Sequence, residues 1–485
     1  MGSIITMNIS LPYKRIGLMI LSLVIINSAA ICQLPVCSDY WVATDALGRK
    51  LPGIEEAGKE DDNSKQVGIF YWTWHTDNKA DFSPVMNISQ ILEKYPEAAQ
   101  DRDHFAWKNI SGGVFWWEES IFGYYRTTDD WVLYKHAQML ANAKIDVVIF
   151  DATNGTQTWK SSYTRLLEVW NKARLYGMRV PKIAFMLGFS PNQYALTAIK
   201  ELYHDLYEPE LYPEMWYYWE GKPLIMAYYE MLEENSGEKN EDKLRQEIRN
   251  FFTFRPCQPD YVDGPSKNDQ WNWLEIYPQN GYGLKPDGSY EEMSVGVAQN
   301  ASKKSNGKWH AFNDDGTFGR SYTFSHGQDT SKNAFLKGLN FQEQWNRALE
   351  INPDFIFVTG WNEWTAGRHI NYDLPTVKSY QPFAFVDQYN WEKSRDAEPV
   401  KAWGEHADNY YMQLIANIRK FKGLNTQNEA VSAVTKDGEN HWSEYSDYRG
   451  DVMWRDHPGQ GDSLFYTNQT GRNDINKCNV ASVED

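Results

Sequence analysis

Residues 355–367 read Phe-Ile-Phe-Val-Thr-Gly-Trp-Asn-Glu-Trp-Thr-Ala-Gly, and this stretch is the strongest indicator of the fold class. Its first five residues are all aromatic or β-branched, which predicts a short buried strand. Strands buried on both faces belong to parallel sheets covered by helices. Glu363 follows the strand, beside Asn362 and between Trp361 and Trp364. Barrel enzymes keep their acids and bases at such a carboxyl end.

The same pattern recurs along the chain. The predicted strands cover 67–72, 113–117, 146–150, 182–187, 223–227, 251–255, 271–277, 294–298 and 355–359. The predicted helices cover 132–143, 163–176, 193–206, 241–250, 340–349 and 408–421, with Asp129, Asp130 and Asp408 as capping residues. About eight strands alternating with helices predict an α/β fold, a (β/α)8 TIM-like barrel with long βα loops. No Gly-x-Gly-x-x-Gly follows the first strand, which argues against a dinucleotide-binding fold.

The chain divides into four predicted segments. Residues 1–30 form a signal peptide, because Lys14 and Arg15 precede an apolar stretch that ends in Ser-Ala-Ala. An N-terminal extension (31–64), the barrel (65–423) and an irregular C-terminal strap (424–485) follow. No later apolar run spans a bilayer, so a secreted or periplasmic protein is expected. The four cysteines, Cys32, Cys37, Cys257 and Cys478, permit three pairings, among which the sequence does not choose.

Composition indicates a carbohydrate ligand. Aromatic residues make up 15% of the chain, with 21 tryptophans among them, and flat aromatic faces suit the C–H faces of sugars. The formal net charge of −17 disfavours nucleic acid and anionic membranes as partners. It does not exclude an anionic polysaccharide bound through local arginines. No cofactor is expected, since no phosphate-binding glycine loop, Gly-x-Ser-x-Gly elbow or catalytic metal spacing occurs.

The Trp-Asn-Glu-Trp element at 361–364, with Phe-Tyr-Trp at 70–72, resembles glycoside hydrolase families 99 and 71. The resemblance covers roughly residues 65–425. It implies a barrel enzyme acting on α-mannosidic or α-1,3-glucosidic links, with Glu363 as the base. The general acid of family 99 is a second Glu three residues further on, where this chain has Ala366. The resemblance therefore supplies only one of the two catalytic carboxyl groups.

Hydrolysis of a glycoside needs a second carboxyl group beside Glu363. Asp151 is the best placed candidate, because it ends a very apolar strand at a turn. Glu275 is the next candidate, because strand alternation would point it inward after Trp273. Glu230 and the pair Glu118 and Glu119 are further carboxyl candidates.

Substrate-binding candidates surround the predicted strand ends. The stacking and hydroxyl-binding candidates are Trp72, Trp74, Trp361, His75, Tyr125 and Asn362. Arg126 and Arg368 could form bidentate hydrogen bonds to a carboxylate or sulfate group, as could Arg255 and Arg320. His104 is a weaker candidate for proton transfer.

Three functions are compatible with the sequence. A glycoside hydrolase with Glu363 as its key carboxylate is preferred, cleaving a polysaccharide or oligosaccharide. A polysaccharide lyase or dehydratase acting on uronic acids would instead use a Tyr or His base and an Arg. A barrel that binds glycans without chemistry is the third, and Ala366 supports both alternatives.

Overall fold

The computed structural model describes residues 41–60, 64–75, 86–108, 112–176, 178–258, 260–299, 301, 310–370 and 382–424. The predicted signal peptide and most of the predicted C-terminal strap lie outside these residues, as do Cys32, Cys37 and Cys478. Cys257 is buried as a free thiol.

Seventeen strands occur in the described residues. They are β1 (Gln66–Tyr71), β2 (Met86–Asn87), β3 (Gly112–Trp116), β4 (Val147–Ala152), β5 (Lys182–Leu187), β6 (Tyr218–Trp219), β7 (Lys222–Met226), β8 (Thr253–Phe254), β9 (Cys257–Gln258), β10 (Trp271–Asn272), β11 (Tyr282–Leu284), β12 (Tyr290–Gly296), β13 (Tyr322–Thr323), β14 (Gly327–Gln328), β15 (Phe355–Thr359), β16 (Thr365–His369) and β17 (Ala384–Val386).

Nine α-helices occur in the same part of the chain. They are α1 (Ile54–Ala57), α2 (Ile88–Lys94), α3 (Asp130–Asn142), α4 (Lys160–Leu175), α5 (Gln193–Leu202), α6 (Glu230–Glu233), α7 (Lys239–Phe251), α8 (Leu339–Ile351) and α9 (Asn409–Lys422). A π-turn at Tyr203–Tyr207 extends α5. Short 3-10 helices occupy Pro96–Ala99, Phe105–Trp107, Pro213–Met215, Ala334–Leu336 and Lys401–His406. None of the helices among the described residues has the length and apolar character needed to cross a bilayer.

The main sheet places seven parallel strands in the order β12-β15-β1-β4-β5-β7-β8, with β11 and β6 added antiparallel at β12 and β7. The first strand, β1, lies between β4 and the last parallel strand, β15. This confirms the predicted α/β architecture, in which sequential strands are neighbours and helices connect them. Strand pairs among the described residues do not join β8 to β12, so a closed eight-stranded barrel stays a prediction.

Successive side chains along each strand of the main sheet point to opposite faces, and each face has its own hydrophobic core. Phe70, Ile149 and Phe357 point to the inner face of the sheet, where they pack in one cluster. Their neighbours Tyr71 and Phe150 pack on the other side, against the helices. Gly68 is required on the inner face, because a Cβ atom there would lie 2.5 Å from the ring of Phe355 on the adjacent strand.

A second sheet lies over the carboxyl ends of the parallel strands in the order β17-β16-β3-β2. The run at 113–117, expected as the second strand of the main sheet, is β3 of this side sheet, so that prediction is wrong. The reason is its partner: β3 pairs antiparallel with β16, which follows Glu363. The side sheet thus folds back on the segment that carries the predicted active carboxylate.

Two sequence predictions agree closely with the structure, and two further predictions differ from it. β5 has the predicted bounds, and Asp129 caps α3 by accepting a hydrogen bond from the Val132 amide at 3.1 Å. The expected strand at 271–277 is only two residues long, so Glu275 lies outside it. Asp408 precedes α9 as predicted, but its side chain makes no capping hydrogen bond.

Candidate active site

Glu363 is buried at the carboxyl end of β15, with only 1% of its surface exposed. Arg395 donates to both carboxylate oxygens, from Nε to Oε2 and from Nη2 to Oε1, each at 2.9 Å. Gln388 adds a third donor, its Nε2 lying 2.8 Å from Oε2. Two parallel bonds from a guanidinium define both the position and the plane of a carboxylate. The side chain of Glu363 is therefore held in a single orientation.

The segment that contains Arg395 runs beside Glu363 along the backbone. Gly360 donates to the Arg395 carbonyl at 2.6 Å, and Glu398 donates to the Trp361 carbonyl at 3.0 Å. Between them, Asp396 accepts a hydrogen bond from the Glu363 amide at 2.7 Å. These contacts hold the backbone around Glu363 as firmly as Arg395 holds its side chain.

Glu398 anchors the opposite side of the same element. Its buried carboxylate accepts hydrogen bonds from Ser120 Oγ at 2.7 Å, Tyr125 Oη at 2.6 Å and Trp364 Nε1 at 2.6 Å. His136 Nε2 lies 3.2 Å away. Four partners satisfy this carboxylate without any ligand, so we interpret Glu398 as a positioning residue for the Glu363 element.

Three further carboxyl groups lie close enough to Glu363 to interact with its charge, namely Asp396, Asp151 and Asp387. Asp151 ends the inner face of β4, and Asp387 directly follows β17. Burial raises the pKa of Asp151 to about 7 and that of Asp387 to about 6, while Arg395 opposes both shifts. The pKa of Glu363 is likewise raised by burial, lowered by Arg395, and raised again by Asp387, Asp396 and Asp151. The site therefore groups carboxyls that do not all ionise together.

Asp387 and Arg395 were not predicted from the sequence. Phe383-Ala384-Phe385-Val386-Asp387 is an apolar run that ends in an aspartate, as does the run before Asp151. The signal is therefore present, although the sequence patterns predict no strand between residues 360 and 407. Asp387 is only partly buried and adopts a left-handed φ of 68°, a conformation that costs free energy for a residue with a side chain. Such strain is common at functional positions.

The structure places Glu275, the other predicted carboxylate, in a separate network. Its oxygens accept hydrogen bonds from the Asn280 amide at 2.5 Å and from the hydroxyl of Tyr282. Burial raises its pKa to about 7. The charges of Glu363, Asp387 and Asp151 are not among the main influences on this pKa, so we do not include Glu275 in the site.

An aromatic wall borders the carboxyl cluster. Trp72 and Trp74 lie with ring centroids 4.1 Å apart, and Trp159 continues the row 4.9 Å from Trp74. Trp74 and Trp159 are partly exposed, whereas Trp72 is buried. Asn362 pairs with the backbone of Trp72, accepting from its amide at 2.8 Å and donating to its carbonyl at 3.1 Å. Asn362 therefore joins the wall to Glu363, with both ends of its amide occupied.

The remaining predicted binding residues are spread over other surroundings. Trp361 points toward the helices, where it contacts His136 and Tyr411 edge-on. His75 is buried and stacks on Trp116 at 4.6 Å, and burial lowers its pKa to about 3.

Two predicted arginines and one predicted tyrosine lie outside the carboxyl cluster. Tyr125 is buried and bonded to Glu398, and Arg126 is exposed. Arg368 donates to the Arg102 carbonyl and lies over the Trp107 ring. The sequence predicts these residues to bind substrate. In the structure, Tyr125 and Arg368 instead bind other parts of the protein.

Ala366 lies in the middle strand of the side sheet. It is fully buried within an apolar cluster and pairs with Phe115 across β16 and β3. A carboxylate at this position would be surrounded by the rings of Phe115 and Phe385. Position 366 therefore supplies no carboxyl group, and the other carboxyl groups near Glu363 come from other elements.

The other carboxyl and arginine candidates have structural partners. Glu118 accepts from Trp391 Nε1 at 2.6 Å, Glu119 pairs with Lys401 at 2.7 Å, and Glu230 pairs with Lys267. Arg255 pairs with Glu291 at 2.7 Å, and Arg320 donates to the Asp396 carbonyl at 2.8 Å. His104 caps the short helix Phe105–Trp107. Within the described ranges, no three His, Cys, Asp or Glu side chains are grouped to hold a metal ion.

Comparison with known proteins gives distant structural similarity only. No family model matches the sequence, and no curated protein matches it. Two structures of a family 99 endo-α-mannosidase from Bacteroides thetaiotaomicron, one in complex with BIS-TRIS-propane, are 16% and 15% identical, with TM-scores of 0.41 and 0.43. Each alignment covers 76% of this chain and 99% of that chain. A glycoside hydrolase-like protein is 12% identical over 75% of this chain and 95% of its own, with a TM-score of 0.37.

Proposed function

We propose that the protein is a glycoside hydrolase that cleaves an oligosaccharide or polysaccharide, with Glu363 and Asp387 as its catalytic pair. The observation that carries this proposal is the carboxyl cluster of Glu363, Asp387 and Asp151 beside one guanidinium and a row of tryptophan rings. Glycosidases need one protonated and one ionised carboxyl group at the scissile bond. This cluster offers carboxyls in different environments, which separates their protonation states.

In this proposal Glu363 is the ionised member, because the Arg395 fork favours its charged form. Asp387 is the acid, because its pKa of about 6 keeps a protonated fraction near neutral pH. Asp387 protonates the leaving oxygen as the glycosidic C–O bond breaks. Water adds to the anomeric carbon, and Glu363, which faces the developing positive charge there, accepts the proton that this water loses. The charge of Asp387 helps to raise the pKa of Asp151, so Asp151 stays largely protonated while Asp387 titrates.

The geometry supports hydrolysis better than elimination. An eliminating enzyme needs a cation for the uronate and a base that titrates near neutral pH. Arg395 is already paired with Glu363, and burial raises the pKa of Tyr125 and lowers that of His75 to about 3. Neither residue is therefore a suitable base.

Mass spectrometry of reaction products tests the proposal. The protein is incubated with neutral α-mannans and α-1,3-glucans and with anionic polygalacturonate. Fragments that gain one water per cleavage support hydrolysis, and Glu363→Gln and Asp387→Asn are expected to abolish them. Glu405→Gln is the matched control, since that side chain is 84% exposed and lies outside the site.

Three results would contradict the proposal. Unsaturated products with new ultraviolet absorbance would indicate elimination. Full hydrolytic activity in Glu363→Gln would show that Glu363 is not a catalytic residue. Binding of a glycan without cleavage would instead favour a non-catalytic glycan-binding protein.

A further inference from the structure

We propose that Trp273 Nε1 and Arg395 Nη1 form a donor pair that binds a hydroxyl oxygen of a neutral sugar unit. The inference rests on the proposed function, because it specifies the substrate class for the same site. Trp273 lies just beyond β10, and none of the sequence patterns identified it as a binding residue.

Both donors are buried and have no hydrogen-bond partner among the residues that the structure describes. Trp273 is 7% exposed and Arg395 is 2% exposed, yet neither Trp273 Nε1 nor Arg395 Nη1 reaches an acceptor. Trp72 Nε1, at the end of β1, is a third donor of this kind. A buried N–H group without a partner costs free energy, typically about 1–3 kcal/mol. Donors left unpaired together at one site indicate a ligand that supplies the acceptor.

The two donors belong to side chains in direct contact. The Arg395 guanidinium lies 4.9 Å from the centre of the Trp273 ring. The Phe70 ring contacts both indoles, with its centroid 5.6 Å from that of Trp273 and 6.3 Å from that of Trp72. Phe189, which is partly exposed, stacks on Trp273 with the ring centroids 5.9 Å apart. Aromatic faces and N–H donors thus occur together beside Glu363, as a sugar subsite requires.

The charges around the donor pair determine whether it favours a carboxylate or a neutral hydroxyl as the acceptor group of a ligand. Arg395 is shared among the charges of Glu363, Asp387 and Asp151, and it is paired directly with Glu363. A ligand carboxylate would add a further negative charge to this cluster and lose free energy by repulsion. A neutral hydroxyl accepts from an N–H group and can also donate to a carboxylate. The subsite therefore favours neutral sugars over uronic acids.

An NMR titration tests the donor pair directly. Tryptophan is labelled with 15N at the indole, and Trp273→Phe, which removes the N–H group and keeps a smaller aromatic ring, assigns the Trp273 resonance. The probes are neutral α-mannan and α-1,3-glucan oligosaccharides and anionic oligogalacturonate. Movement of the Trp273 resonance with a neutral probe, and a roughly 2- to 10-fold weaker affinity in Trp273→Phe, are expected for one lost hydrogen bond.

Trp345→Phe is the matched control. Trp345 is fully buried on α8, its Nε1 is also unpartnered, and it packs against Phe341 in the helix layer. This variant is expected to bind the neutral probes with unchanged affinity. Movement with oligogalacturonate alone would overturn the inference, as would a static Trp273 resonance with every probe. Cleavage of a neutral probe with a static resonance would leave the proposed hydrolase standing without this subsite.

Discussion

Arg395 donates two parallel hydrogen bonds to Glu363, each 2.9 Å long, across 32 residues of sequence. The pair is almost fully buried, at 2% and 1% exposure of the two side chains. Each charge is therefore the main compensation for the free-energy cost of burying the other charge. Because the fork sets both the charge and the direction of Glu363, its disruption is expected to affect stability and activity together.

Arg395→Met is expected to destabilise the protein by about 3–5 kcal/mol, because it leaves the Glu363 carboxylate buried without its counter-charge. Adding Glu363→Gln to this variant removes the uncompensated charge and should recover part of the loss. Urea denaturation of the wild type, both single variants and the double variant gives the coupling free energy. Simple additivity of the two single effects would show that the pair does not act as a unit.

Asp387→Asn is expected to lower hydrolysis by about 10²- to 10⁴-fold, the usual contribution of a general acid. In the wild type the rate should fall as the pH rises through about 6, where Asp387 loses its proton. Burial and Arg395, not Asp151, are the influences on this pKa, so Asp151→Asn should leave this limb near pH 6. A wild-type rate that rises with pH through this range would assign the acid to another residue.

Trp364→Phe is expected to destabilise the protein by about 1–3 kcal/mol, because the buried Glu398 carboxylate loses a donor at 2.6 Å. Trp403→Phe is the matched control. Trp403 packs in the same cluster, but its Nε1 has no hydrogen-bond partner, so the substitution breaks no bond. Chemical denaturation measures both variants. An equal loss in the two would indicate that packing, not the bond to Glu398, explains the effect.

The buried carboxyl group of Asp408 is expected to make the free energy of unfolding depend on pH. This effect can be measured without an activity assay. Burial raises its pKa to about 7, so the folded protein binds a proton there that the unfolded chain, with a pKa near 3.8, releases. This stabilisation is fully present below about pH 4 and is lost as the pH rises toward 7. Asp408→Asn should therefore reduce the difference in unfolding free energy between pH 5 and pH 8. An unchanged difference would contradict a buried, protonated Asp408.

Local patterns predicted the elements of the main sheet well. The bounds of β5 and the capped start of α3 follow from residue periodicity and one side-chain hydrogen bond, which are properties of neighbouring residues. The run at 113–117 was also recognised as a strand, but it was assigned to the wrong sheet. Which strand it pairs with depends on β16, some 250 residues away. Pairing with a strand so far along the chain produces no periodic pattern in the local sequence.

The sequence by itself determined that β15 is buried and that Glu363 stands at its carboxyl end, because five consecutive aromatic or β-branched residues favour such a strand. The tertiary structure alone decided the surroundings of Glu363. It brought Arg395 and Asp387 to this carboxylate, placed Glu275 in a separate network, and turned Asn362 toward the backbone of Trp72. The physical reason is that charge and hydrogen bonding act across space, between residues whose separation along the chain carries no local signal.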